Sequence, residues 1–271
     1  MSEASVLVIG AAAIDIKAVG SRSIQLGTTN PGKVRIGVGG VGRNVAENLT
    51  RLGLETTLIS AIGDDGSGRR ILRQAAQSGL DMSEVFVDRS LSTATYVALF
   101  EAAGSPLVSM YDMAVVNRIT PRYIYERRSL FREASFVLID ANLPPSTLNT
   151  VFKLAGQYNL RVGADPTSVV LAPRLLPHLS SLYMITPDRD EAEILTDMKI
   201  RDDLEAIEAA KRLVSRGIRV AIVTLAEQGV VYATAETNGR IPSIRTEIVD
   251  VVGAGDAMTA AVVFGLLNNF P

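Results

Sequence analysis

Near the end of the chain, Asp250-Val251-Val252-Gly253-Ala254-Gly255-Asp256-Ala257 joins two apolar stretches. The first is β-branched (Ile248, Val249, Val251, Val252), and the second runs unbroken from Ala257 to Leu267 and reads as a buried helix. Small residues at a strand-to-helix turn let backbone N–H groups converge on an anion, and the helix dipole adds to that pull. A carboxylate in the turn, Asp256, would be repelled by a resting phosphate. It makes sense as a base that takes a proton from a hydroxyl attacking a phosphoryl group. The segment fits an αL turn followed by an N-capping Asp equally well.

Other residues with chemical potential lie at strand ends. Val6 to Ile9 is a buried strand ending at Gly10, and Asp15 follows as the one acid in Ala11 to Val19. A carboxylate just past a strand's C-terminal end lies where α/β sheets bind ligands, so Asp15 is a candidate for gripping hydroxyls, with a turn cap as the plainer reading. Asn142, Asp165, Asp188 and Thr224 stand at the ends of four later strands, and five polar strand ends in succession are hard to assign to turns alone. The run Gly37-Val38-Gly39-Gly40-Val41-Gly42-Arg43-Asn44 formally matches the dinucleotide fingerprint G-x-G-x-x-G. Its preceding strand, Lys33 to Ile36, alternates rather than being buried, and no acid ends the next strand, so a Rossmann oxidoreductase is the weaker reading. Its four glycines offer backbone that a hydroxylated ligand approaches closely. Asp64 and Asp65 read as helix-start caps before metal ligands.

The elements that must hold these residues alternate strand and helix, as in a doubly wound sheet. One region departs from that pattern. Ala94 to Phe100 and Leu107 to Met110 flank a turn at Ala103-Gly104-Ser105 and predict a hairpin. With the Lys33 strand it predicts a small antiparallel sheet beside the main one, a lid. At 271 residues the chain suits one large domain. A net charge of −2 with interspersed signs gives no footprint for nucleic acid or a membrane surface. The absence of cysteine excludes disulfides and thiolate chemistry, and a single histidine, His178, excludes a multi-histidine metal site. No signal peptide or membrane span is legible, so a cytoplasmic protein is expected. A P-loop kinase is excluded because no Gly-Lys-Ser/Thr is present.

In order, Gly39-Gly40-x-Gly42-x-Asn44, Gly63-Asp64-Asp65, Asp165-Pro166 and Gly253-Ala254-Gly255-Asp256 make the chain resemble, along its whole length, the ribokinase-like (phosphofructokinase-B type) kinases. That resemblance implies an α/β fold, a three-layer sandwich with a central, mostly parallel sheet and a β lid at about residues 16–37 and 92–112. It implies a homodimer joined through the lid. ATP and Mg²⁺ are the implied cofactors, with a monovalent cation near Asp250. Gly253, Ala254 and Gly255 would cradle the transferred phosphoryl group, with Asp256 as the base. Asp15, Gly39, Gly40 and Asn44 would hold the acceptor, while Asp188, Thr224 and Gly229 would contact nucleotide and Glu191 would act on Mg²⁺ indirectly. Asn30 to Val34, Thr93 with Tyr96, Asp112-Met113, Asp140 to Leu143 and Glu191-Ala192-Glu193 look most like the pseudouridine kinases within that family. By that likeness Lys33, Thr93, Tyr96, Met113 and Asn142 would enclose ribose and base, and a nucleoside 5′-hydroxyl would be the acceptor. A sugar kinase or a catalytically impaired ligand-binding relative are the alternatives.

There are departures from the family pattern. Ala13 stands where many relatives carry Asn, Asp188 replaces the Asn of Asn-x-x-Glu, and Ala226 replaces a glycine of the nucleotide loop Thr224 to Gly229. Relatives continue with helices that complete the adenine pocket, which predicts weak ATP binding by a chain ending at Pro271.

Overall fold

The computed structural model describes residues 4–244 and 253–270. Asp250 and its expected cation, with the strand ending at Val252, lie outside the described residues. The chain opens with β1 (Ser5–Ile9), β2 (Ala13–Gly20), β3 (Gly32–Gly39), α1 (Val41–Arg51), β4 (Glu55–Gly63), α2 (Gly66–Ser78) and β5 (Val85–Asp88). It continues with β6 (Ala94–Phe100), β7 (Pro106–Asp112), α3 (Pro121–Glu126), α4 (Arg128–Glu133), β8 (Phe136–Asp140), α5 (Pro145–Gln157) and β9 (Arg161–Asp165). After a 3₁₀ helix over Ala172–Ser181 come β10 (Met184–Ile185), α6 (Arg189–Thr196), α7 (Asp203–Ser215), β11 (Val220–Thr224), β12 (Val230–Ala233), β13 (Asn238–Ile241) and α8 (Ala254–Leu267).

Nine strands form the main sheet in the order β13-β12-β11-β10-β9-β8-β1-β4-β5. It is parallel from β11 to β5 and ends in the antiparallel pair β12 and β13. Successive side chains of a strand point to opposite faces, so β1 feeds two separate cores. Val6 and Val8 meet Val45 and Leu49 of α1, Ala75 of α2, and Ala260 and Val263 of α8. Leu7 and Ile9 belong to the opposite core with Ile124 of α3, Phe131 of α4, Leu148 and Val151 of α5, Leu195 of α6 and Ala206 of α7. The result is a three-layer α/β sandwich. Among the described residues no helix is long and apolar enough to cross a membrane.

A second sheet of four strands, β3-β2-β6-β7, stands apart from the first. Its outer pairs are antiparallel, and its central pair, β2 with β6, is parallel. Period-two alternation divides it sharply. Ile14, Ile16 and Ala18 pair across with Val38, Ile36 and Val34 on one side and with Thr95, Val97 and Leu99 on the other, giving an apolar face. The lower part of that face packs on Ile62, Ile71 and Leu72. The opposite face carries Asp15 and Lys17 beside Gly37, Arg35 and Tyr96.

One expectation is corrected here. Asp15 is not a turn residue beyond a strand but lies within β2. The glycine run begins inside β3, an antiparallel strand of the small sheet, so it lacks the buried parallel strand that a dinucleotide fingerprint requires, in line with the lower rank given to that reading. Its glycines answer to close approach instead. Gly40 has φ 90°, and a Cβ there would sit 2.5 Å from the Ala11 carbonyl oxygen. A Cβ on Gly42 would lie 2.7 Å from Gly10 Cα, so the start of α1 rests directly on the β1–β2 connection.

Candidate active site

Asp140 at the end of β8 holds the floor together. Its carboxylate accepts from the amides of Ala11 (2.7 Å), Gly42 (2.9 Å) and Asn142 (3.0 Å), tying the β1–β2 connection to the start of α1. Burial pushes this carboxyl upward, and the three N–H donors oppose that push. The sequence marked the strand end but gave no sign that Asp140 would bind two distant loops. Arg174 completes the floor by donating to the carbonyls of Ala141, Asn142 and Leu143.

Above the floor, α1 and α8 meet. Gly253 is the N-cap of α8 with φ 84°, and no side chain among the described residues caps that end. The amides of Ala254, Gly255 and Asp256 belong to the first turn, where N–H groups have no intrahelical acceptor. Ala254 and Gly255 are exposed, and a Cβ on Gly255 would meet nothing within 4 Å. The turn is therefore open to a phosphoryl group. Asp256, the third residue of the helix, is 8% exposed, and Asn44 Nδ2 donates to its Oδ2 at 2.7 Å. Burial pushes the Asp256 carboxyl up to about 6, with Asp140 and Asp15 adding to the rise and Asn44 and Arg43 opposing it.

The lid supplies the other wall. Asp15 faces the same space, and a Cβ on Gly39 would fall 2.1 Å from its Oδ2, so glycine there makes room for the carboxylate. Tyr96 pairs directly with Asp15 across the sheet. Between lid, α1 and α8 lies a cleft of about 490 Å³ lined by Asp15, Lys17, Arg35, Gly37, Arg43, Asn44, Glu47, Arg51 and Gly253, among others. Lys17 and Arg35, a cross-strand pair, were not singled out from the sequence. Strand alternation from Asp15 is the signal that would have found Lys17.

The remaining candidates are dispersed. Lys33 pairs with Val19 at the outer end of the lid, four residues and about 13 Å along β3 from Gly37, away from Asp15. The Thr93 hydroxyl accepts from Gly63 N–H (3.0 Å) and donates to Asp65 Oδ1 (2.7 Å), so it is engaged at the foot of the lid. Asp65 also caps α2 by accepting from Gly68, as the cap reading expects. Asp64 pairs at the surface with Arg69. Met113 is half-buried against the core, and Asn142 is buried in the β8–α5 connection. His178 stacks on Phe152 with ring centres 4.2 Å apart.

Past the end of β10, Asp188 caps α6 in a reciprocal box. Its Oδ1 accepts from Glu191 N–H, and Glu191 Oε2 accepts from Asp188 N–H, each at 2.8 Å. Burial, reinforced by the Asp188 charge, pushes Glu191 up to about 7. Asp165, at the end of β9, is pushed well above the usual carboxylate range by burial, with the Asp256 and Glu191 charges adding to it. Among the described residues no group of three acidic or histidine side chains could hold a metal ion. Asp188 and Glu191 at the start of α6 are carboxylates of the kind that would act on Mg²⁺ through its waters, since that ion binds through polyphosphate with one or two carboxylates rather than in a protein cage. Thr224 N–H donates to the Pro187 carbonyl, and Leu225 N–H to that of Gly229, closing the loop after β11. Gly229 has φ 97°, and a Cβ there would strike the Ile241 oxygen at 2.2 Å. Ala226 holds φ 50°, a conformation that favours the glycine it replaces.

A family profile described as pfkB family carbohydrate kinase matches residues 3–271. Pseudouridine kinase of Escherichia coli (strain K12) is 30% identical over 268 residues, spanning 98% of this chain and 85% of that protein. A carbohydrate kinase structure from Agrobacterium tumefaciens superposes with TM-score 0.83 at 28% identity, covering 99% of this chain and 85% of the other. An Arabidopsis thaliana ribokinase, solved with ribose and ATP, gives TM-score 0.85 over 100% of this chain and 88% of its own, at 22% identity. The chain belongs to the pfkB family of carbohydrate kinases, ATP-dependent phosphotransferases with an alcohol as acceptor.

Proposed function

We propose that the acceptor is a nucleoside and that the reaction transfers the γ-phosphoryl group of ATP to the 5′-hydroxyl of pseudouridine. The observation that carries the chemistry is the meeting of Asp256, Asn44 and the open first turn of α8 at one end of the cleft, with Asp15 on the facing lid. Asp15 and Asn44 orient the acceptor's hydroxyls. Asp256, held by one oxygen, takes the hydroxyl proton as the oxygen–phosphorus bond forms and the bond to the ADP oxygen breaks. The amides of Ala254, Gly255 and Asp256 stabilise the charge on the transferred group. Mg²⁺ supplies neutralisation of the polyphosphate when bound, with Glu191 the residue on hand to act on it through water.

The choice of pseudouridine rests on the 30% identity with an enzyme of that name and on a cleft long enough to run past Asp15 to Lys17 and Arg35. The test is a kinase assay across pseudouridine, uridine and ribose. The expected result is kcat/KM for pseudouridine at least roughly tenfold above both competitors. Equal turnover of uridine defeats the narrower assignment, and preference for ribose moves the acceptor to free sugars.

A further inference from the structure

We infer that Arg43 is a positioning residue, which dictates the amide orientation of Asn44 and thereby holds Asp256 by one carboxylate oxygen, leaving the other for the acceptor's proton. The inference rests on the reading of Asp256 as the base. In sequence Arg43 is the filler between Gly42 and Asn44. In the fold it is 3% exposed at the first turn of α1. Its Nη1 donates to Asn44 Oδ1 at 2.5 Å and to the Val38 carbonyl of β3 at 3.3 Å, and its Nη2 pairs with Glu47. Glu47 in turn accepts from Arg51.

The chemistry of the guanidinium makes the contact directional. Arginine carries five N–H donors and no acceptor, so Asn44 can meet it with Oδ1 alone. The amide is then forced to present Nδ2 to Asp256, and an N–H₂ donor is satisfied there by a carboxylate oxygen. Without Arg43 the amide is free to turn over and offer Oδ1 to a protonated Asp256, a neutral pair that cannot act as a base. A plain i, i+4 ion pair with Glu47 would need neither the Asn44 contact nor the link to β3. The charged groups facing Asp256 come from four elements: Arg43 on α1, Asp15 on β2, Asp140 on β8 and Asp165 on β9. Arg43 is the cation of that set. Burial and the neighbouring Arg51 lower its own pKa to about 10, which leaves it charged at neutral pH.

The experiment uses Arg43→Lys, Arg43→Met and the double variant Arg43→Met/Glu47→Met. The double variant removes the buried ion pair together, so that no uncompensated Glu47 prevents folding. Thermal melts establish which variants fold. Steady-state rates are measured with ATP and whichever acceptor the parent protein phosphorylates, and ¹³C-carboxyl NMR follows Asp256 directly in the free protein. For a folded Met variant we expect kcat lower by roughly tenfold or more, with acceptor KM within about threefold, and an acid limb of kcat/KM moved upward. The Asp256 carboxyl should titrate higher by a similar interval, and Arg43→Lys, a donor-only cation without the guanidinium fork, should recover part of the loss. Parent-like kcat and titration in a folded Met variant overturn the inference. So does a rise in KM at constant kcat, which would make Arg43 a binding group. An acceptor other than pseudouridine defeats the substrate assignment and leaves this test intact, because the carboxyl titration is read without acceptor.

Discussion

Asp256 is pulled in opposite directions by its two duties. A base must be ionised, yet burial pushes this carboxyl up to about 6, so activity requires a pH above that value. kcat/KM is expected to fall as pH is lowered through about 6, which a pH–rate profile reads directly. Asp256→Asn keeps the shape and removes the proton acceptor; turnover should drop by roughly 10²-fold or more with acceptor and ATP binding nearly unchanged. Turnover within a few-fold of the parent would return Asp256 to the status of a helix-start residue. Stability should move the other way. A carboxyl whose folded pKa is raised binds its proton more tightly when folded, so its favourable contribution is present at low pH and lost as pH rises from about 4 to about 6. Asp256→Asn is therefore expected to raise stability at about pH 8 by on the order of 1–3 kcal/mol, the gain fading as pH falls toward about 4. Chemical melts at the two pH values decide it; a gain independent of pH would contradict the assignment of strain to the ionised carboxyl. At this scale the sequence offered the candidate reacting residues and concealed the residues that hold them. Asp256, Asn44 and Asp15 stand out because a small-residue turn, a glycine run and a lone acid each have a chemical reading. Asp140 acts through distant partners, at separations of 98 and 129 residues for its contacts with Gly42 and Ala11, and nothing local announces that; Arg43 has its contacts close in sequence, at Val38, Asn44 and Glu47, but no pattern sets it apart from filler.

Elements were legible in proportion to how far local chemistry decides them. Period-two alternation gave the lid strands β3, β6 and β7 but not the central β2, and short apolar runs gave β1, β8, β9 and β11, because strand pattern reports which face is covered. The antiparallel edge pair β12 and β13 was missed: at four residues each, Val-Val-Tyr-Ala and Asn-Gly-Arg-Ile, they carry too little pattern to separate from loop. Thr93 has a structural duty that its motif does not announce. Its position suggested a ligand contact, yet its hydroxyl joins β4 to the start of β6 through Gly63 and Asp65. Thr93→Val keeps the volume and leaves the Gly63 N–H and the Asp65 carboxylate short of a partner. The expected cost is about 1–3 kcal/mol, with acceptor KM changed less than threefold. Denaturant melts and KM measurement test this together, and a large KM effect at full stability would restore Thr93 to the substrate contacts. The loop after β11 illustrates the reverse case, in which a departure from the family pattern has a local physical meaning. Ala226 stands in the left-handed region at φ 50°, so the alanine accepts the backbone geometry of the glycine it replaces.

At the scale of the whole molecule, the lid has a face that the described residues do not cover. Ile14, Ile16 and Val38 are packed on α2 and β4, but farther out Val34, Ile36, Val108 and Met110 remain 62%, 49%, 49% and 69% exposed on that same apolar face. A half-solvated sheet is expected to be polar on its wet side, and contiguous exposed aliphatic residues mark a surface that meets a partner. The opposite face carries Asp15 and lines the cleft, so whatever covers the apolar face also braces that wall of the cleft. We propose that the partner is a second copy. A two-fold pairing would set each Val34–Met110 patch against its equivalent, and substitution at one site then acts twice. Light scattering after size exclusion should give twice the 28.9 kDa chain mass for the parent protein. Val34→Glu/Met110→Glu places like charges face to face and should give the single-chain mass, with acceptor KM raised severalfold and ATP binding less affected because the nucleotide side lies on the main sheet. Circular dichroism and melting of the double variant separate dissociation from unfolding. A parent protein that runs at the single-chain mass across concentrations, or a double variant that stays paired, would rule out this face as the contact.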